Sequence, residues 1–189
     1  MTIEAKASTE ERLLEAAAVL TYRDGVGIGI DALCKAAGVS KRSMYQLFGS
    51  KGELLAASLE GRASAFAASF LPAADGGRSP REKILYVFEQ VQSQAGTDGY
   101  QGCPYLAAQI ELKNQNHPAS RAARQAKEGL TDFFRAEAEQ GGASDPDLLA
   151  RQLSLVFDGA SARAGIRADD LTGLLAPAVT ALLDAAGMR

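Results

Sequence analysis

Apolar residues recur three and four positions apart along most of this chain, and the stretches between them carry glycine, proline or charge. That spacing predicts amphipathic helices from end to end. After seven residues that read as disordered, Leu13, Leu14, Ala17 and Leu20 mark the inner side of a helix over about 9–24. Ser8 and Glu11 form its capping box, and Gly25 ends it. A loop with three glycines then leads to a helix over about 30–37 that buries Ile30, Leu33 and Ala37. Gly29 is a mediocre cap there, while Asp31 in the first turn suits the helix dipole. Gly38 can adopt the left-handed conformation that closes a helix, and Ser40 can cap the next, a short one over about 40–47. Met44, Leu47 and Phe48 form its inward stripe. Ser50, in a capping box with Glu53, opens a long helix through Leu54, Leu55, Ser58, Leu59, Arg62 and Phe66 towards Phe70.

The polar, glycine-bearing stretch from Pro72 to Pro80 breaks the pattern and is expected to lie near a functional hinge. Ser79 caps a helix with Pro80 at its first position, running to about Ala95 with Ile84, Leu85, Phe88 and Val91 on one side. Further helices are predicted from Cys103 to about Lys113 and from Pro118 to about Gln140, the second carrying Leu130, Phe133 and Phe134. Asp145 and Pro146 then start a helix with Leu148, Leu149, Leu153, Val156, Phe157 and Ala160 on one face. In the last helix Leu171, Leu174, Leu175, Ala178, Val179, Leu182 and Leu183 keep the same spacing, with Pro177 inside the pattern and a mild kink expected there.

Composition narrows the class. Alanine is frequent and runs of Val, Ile and Thr are scarce, which makes the fold all-α. No apolar run reaches the ~18 residues of a membrane span, and Glu4, Glu10 and Glu11 occupy the region where a signal peptide would be basic. A cytoplasmic location with reduced thiols is expected. Two cysteines (Cys34, Cys103) and one histidine (His117) do not make the usual zinc spacings or a disulfide framework. No nucleophile–base set can be assembled without that one histidine, and no glycine loop has phosphate-binding spacing, so neither catalysis nor a cofactor is expected. Cys103 at a helix start reads as a structural thiol more readily than as a redox sensor.

Net charge is −3, yet residues 32–52 hold Lys35, Lys41, Arg42 and Lys51 and no acid. By itself such a run is a solvated face. Here it coincides with helix, tight turn and short helix, the pattern of a DNA reading head. Ser40, Lys41, Arg42, Ser43, Tyr45 and Gln46 supply donors that suit major-groove base edges and phosphate oxygens. The division expected is Lys41, Arg42 and Ser43 on bases, with Tyr45 and Lys51 on phosphates. Lys51 opposes the dipole of the helix it begins, so another reason for its position is expected.

Residues 9–60 resemble the DNA-binding domain of the TetR (tetracycline-repressor) family of bacterial transcription regulators. The resemblance rests on Leu13-Leu14-Glu15-Ala16-Ala17, Gly25, Leu33 with Ala36-Ala37-Gly38-Val39-Ser40, Tyr45 with Phe48, and Ser50-Lys51 with Leu54-Leu55. Thr21, Gly29 and Arg42 depart from the family's usual aromatic, capping threonine and small residue. The resemblance implies an N-terminal three-helix helix-turn-helix domain (1–50, the motif reaching about 60) and a helical ligand-binding and dimerisation domain (51–189). It further implies that the last two helices pair with those of a second subunit, through Leu149, Leu153, Val156, Phe157, Leu171, Leu175, Val179 and Leu182. A pocket in the helical domain would be lined by Phe66, Phe70, Phe88, Gln92, Tyr105, Gln109, Phe133, Phe134 and Phe157, although each aromatic taken singly reads as core. Gly102-Cys103-Pro104-Tyr105 resembles a motif that begins a helix beside the pocket in one group of these regulators.

The reading expected on these grounds is a homodimeric repressor, released from a palindromic DNA operator by a small apolar or aromatic effector. The alternatives are a DNA-binding regulator with no small-molecule effector and, from another class, a helical enzyme or carrier. The last lacks a catalytic set.

Overall fold

The computed structural model describes residues 7–73 and 76–189; the disorder expected of the first seven residues falls, Ala7 apart, outside them. All the regular structure described is helical: α1 (Thr9–Asp24), α2 (Ile30–Ala37), α3 (Lys41–Phe48), α4 (Lys51–Phe70), α5 (Pro80–Ala95), α6 (Pro104–Leu112), α7 (Pro118–Gln140), α8 (Pro146–Gly165) and α9 (Leu175–Ala185). Serine caps set several starts. The Ser8 hydroxyl accepts from Glu11 N–H while the Ser8 N–H donates to the Glu11 carboxylate, and Ser79 with Glu82 repeats this at α5. Gly38 closes α2 in the left-handed region at φ 64°.

The chain packs as two compact units, residues 1–62 with 105–125 and residues 63–104 with 126–189, so α4 gives its first turns to one and its last to the other. This packing division differs from the functional one expected at residue 50, which remains a proposal. In the first unit Leu13, Ala17, Leu33, Cys34, Ala37, Met44, Leu54, Leu55 and Ala119 form the core. α3 closes it with Met44 and, partly, Phe48. Leu47, expected inside, is 47% exposed. An eight-residue helix lying on a small core turns only about one side inward, and Leu47 is rotated off it.

In the second unit Phe88 stacks on Phe134 (centroids 5.7 Å) and Phe70 meets Phe157 edge-on (5.4 Å). The loop before α6 runs tightly against α8. A Cβ on Gly102 would lie 2.7 Å from the Ser161 carbonyl oxygen, and one on Gly165 would lie 2.6 Å from the Gln101 carbonyl carbon, so both positions need glycine. The final helix is shorter than its apolar pattern suggests. Gly173, at φ 75°, interrupts that pattern, and α9 starts at Leu175. Pro177 therefore sits in the first turn, where its missing N–H leaves no intrahelical bond unmade, and the expected kink has no cause.

Candidate nucleic-acid interface

The turn between α2 and α3 is built by three local devices. The Arg12 guanidinium, from α1, donates to the carbonyls of Ala37 (2.9 Å) and Gly38 (3.3 Å), occupying oxygens that the end of α2 leaves unpaired. The Val39 N–H returns to the Cys34 carbonyl at 2.9 Å. Ser40 then caps α3, accepting from Ser43 N–H at 3.1 Å, and the two serine hydroxyls lie 2.9 Å apart. The α2–α3 angle is thus pinned at both ends of a three-residue connection, Gly38 to Ser40.

With Met44 fully buried, the opposite side of α3 is presented outward. Arg42, Tyr45 (48% exposed) and Gln46 are displayed there, with no ion pair to Arg42 among the described residues. Lys41 is exposed but held, its ammonium 2.6 Å from the Asp31 carboxylate. The hydrogen bond from Lys41 to Asp31, and their attraction, raise the Lys41 pKa above its ordinary value. Ser40 and Ser43 are engaged in the cap. Lys51 reaches back to the loop after α1, where its ammonium donates to the Val26 carbonyl at 2.8 Å. Burial alone lowers its pKa. That bond supplies the separate reason for a lysine at this helix start.

Sequence reasoning missed the partner on the other side of Val26. The Val26 N–H donates to the Glu111 carboxylate (2.8 Å), 85 residues away, so Lys51 and Glu111 clamp the polar groups of one residue. No local pattern marks such a pair; only the return of α6 to this unit brings it about.

The other expected sites fall elsewhere. Of the pocket set, Tyr105 and Gln109 belong to the first unit and Phe66, Phe70, Phe88, Gln92, Phe133, Phe134 and Phe157 to the second. Phe70, Phe88, Tyr105, Phe134 and Phe157 are buried, and the Tyr105 hydroxyl donates to the Leu59 carbonyl at 3.0 Å. Of the eight residues expected at a subunit interface, Leu149, Leu153, Phe157, Leu171, Leu175 and Val179 are buried within the chain, while Val156 and Leu182 are half-buried. Burial of these residues inside one chain leaves a role for them at a subunit interface as a proposal, and part of the same pattern stays outside, with Leu148 and Leu174 49% and 52% exposed. α8 is apolar on a second side as well. Leu148, Gln152, Leu155, Gly159, Ala162 and Ile166 follow one another at spacings of three and four, and Leu155 and Ile166 are 73% and 77% exposed.

Comparison with known proteins follows the same lines. The family described as bacterial regulatory proteins, tetR family, matches residues 13–58. A TetR-type transcriptional regulator from Streptomyces avermitilis is 74% identical with a TM-score of 0.95, over 97% of this chain and 100% of that one. A TetR-family regulator from Streptomyces coelicolor is 24% identical with a TM-score of 0.83, over 94% and 95% of the two chains. CifR, a TetR-family regulator whose cysteine mutant was solved with 26-bp double-strand operator DNA, shares the fold at 21% identity and a TM-score of 0.73, over 98% of each chain. None of the curated proteins matches.

Proposed function

This chain belongs to the TetR family of bacterial regulatory proteins, and from that premise we propose that it is a homodimeric repressor released from a palindromic operator by a small-molecule effector. The observation that carries the reading is the outer face of α3. A short helix fixed by a serine cap and an arginine brace displays Arg42, Tyr45 and Gln46 on a surface with no acidic member. Arg42 suits a bidentate contact with a guanine edge, Gln46 an adenine, and Tyr45 a phosphate oxygen. Lys41 reaches DNA by exchanging Asp31 for phosphate or base, whereas Lys51 acts by holding the loop that supports the head as well as by its charge. CifR was solved with operator DNA, which supports the same partner here.

Assembly through a second copy is supported by the outer stripe of α8. Gly159 and Ala162 lie at its centre and allow close approach, and Leu148, Leu155 and Ile166 would bury against their counterparts. Reading two successive major grooves requires the dimer's heads to lie about one DNA turn apart, ~34–36 Å. An effector weakens operator binding only through different affinity for the DNA-competent and incompetent states. The test is selection of bound fragments from genomic DNA, followed by titration of the selected operator. A palindromic consensus bound by two chains supports the proposal, and binding without sequence preference would sink it.

A further inference from the structure

A cavity of about 420 Å³ opens between the end of α6 and the start of α7, lined by Gln109, Lys113, Asn114, Gln115, Ser120 and Arg124. Its walls contain no acid and no aliphatic side chain. The Ser120 hydroxyl is the telling group. The residue borders the cavity and is 3% exposed, and its Oγ, closed to solvent, has no hydrogen-bond partner. A buried hydroxyl left unpaired is costly, and such groups are normally satisfied by protein, water or ligand. The cations beside it are not neutralised by carboxylates. Arg124 makes one long contact, Nη2 donating to the Gln115 carbonyl at 3.4 Å, and Lys113 has no ion pair among the described residues. The Asn114 side-chain oxygen already accepts from Asn116 N–H at 3.0 Å, so its amide nitrogen is left to donate.

We propose that this cavity binds a small hydroxylated metabolite through a carboxylate or phosphate group. Lys113 and Arg124 carry the countercharge, Ser120 turns its hydroxyl by a change of rotamer to donate to an anion oxygen at the floor, and Gln109, Asn114 and Gln115 bond the neutral polar body. The volume suits a molecule of sugar-acid or sugar-phosphate size. The site adjoins the reading head within one unit. Glu111 at the end of α6 holds Val26 N–H, and a Cβ on Gly52 of α4 would lie 3.1 Å from the His117 ring. An occupant that shifts residues 113–120 therefore acts on the elements that set α3. This second statement, that the occupant is an effector, rests on the DNA-binding reading; the binding site does not.

The test separates the two. Gluconate, glucose 6-phosphate and glucose are titrated calorimetrically into the full chain at constant ionic strength. Binding of either anion, with glucose inert, supports the site and identifies the anionic group. Arg124→Gln and Ser120→Ala should each weaken that binding tenfold or more, with folding checked by circular dichroism and Arg151→Gln, an exposed arginine of the other unit, as a control. Equal binding of glucose, equal binding by the variants, or no binding at about 10 mM, near the weak limit of useful affinity, overturns the proposal. Operator titration with and without the bound anion then reads the effector role. An unchanged operator affinity removes that role and leaves the site.

Discussion

Arg42 and Lys51 carry similar charge and sit nine positions apart, yet their surroundings predict different consequences of removal. Arg42 is exposed, without an ion pair among the described residues, on a helix whose inner side is fixed. Arg42→Ala should leave stability unchanged, cost roughly 1–3 kcal/mol of operator affinity and relax preference at one position of each half-site. Selection of bound fragments with the variant measures this, and retained preferences with a merely lower salt slope would reassign Arg42 to phosphate. Lys51 donates to a backbone carbonyl from a half-buried position. Lys51→Ala should therefore lower stability by about 1–2 kcal/mol and weaken all DNA sequences alike, read by urea unfolding and by the salt dependence of binding. The sequence flagged Lys51 as misplaced against a dipole but could not name Val26, because the partner depends on how α1 and α4 meet. Leu47 was illegible for a related reason: spacing identifies a stripe, but only the size of the surface beneath decides how wide it is.

At the scale of elements, the caps and the close approaches make the clearest demands. Glu11 and Glu82 each accept from the backbone N–H, then the hydroxyl interaction, of their capping serines, and both carboxyls are held below their ordinary pKa. A carboxylate with a depressed folded pKa contributes stability that is present above its unfolded pKa and lost as pH falls through the folded one. Stability should thus decline in acid below about pH 4.5, near the ordinary glutamate value, and Glu11→Gln with Glu82→Gln should flatten that part of a pH series of urea melts. Gly165→Ala presses a methyl into the backbone of Gln101 and should cost about 1–3 kcal/mol. Gly129→Ala, with nothing within 4 Å of the added carbon, should instead gain roughly 0.5–1 kcal/mol through helix propensity. Thermal melts of the two variants check the contrast. The starts of α1, α3, α5 and α8 were legible because Ser8, Ser40, Ser79 and Asp145 use side-chain chemistry that sequence displays. The start of α9 was not, since Gly173 interrupts a periodicity that continues on both sides of it.

For the molecule as a whole, the all-helical fold and the reading head followed from spacing and caps, whereas the choice of outer surface did not. Adjacent helix positions differ by about 100°, so Leu148 and Leu149, or Leu155 and Val156, point to different sides while looking equivalent in a stripe. The chain's own core takes Leu149 and Leu153 and leaves Leu155 and Ile166 outside. Leu155→Glu should then give folded monomers by sedimentation with operator binding lost. A folded variant that remains dimeric would place the interface elsewhere.

The clamp on Val26 bears on how this protein could be taken apart. A cut after residue 62, where the first continuous stretch of this unit ends, would treat the head as a portable cartridge. Here that cut would discard Glu111, which holds the loop after α1, and Ala119, which belongs to the same core as Leu13 and Met44. A chimaera of this head needs residues 105–125 to travel with it, or a host whose corresponding segment offers a carboxylate and a small side chain at those two places.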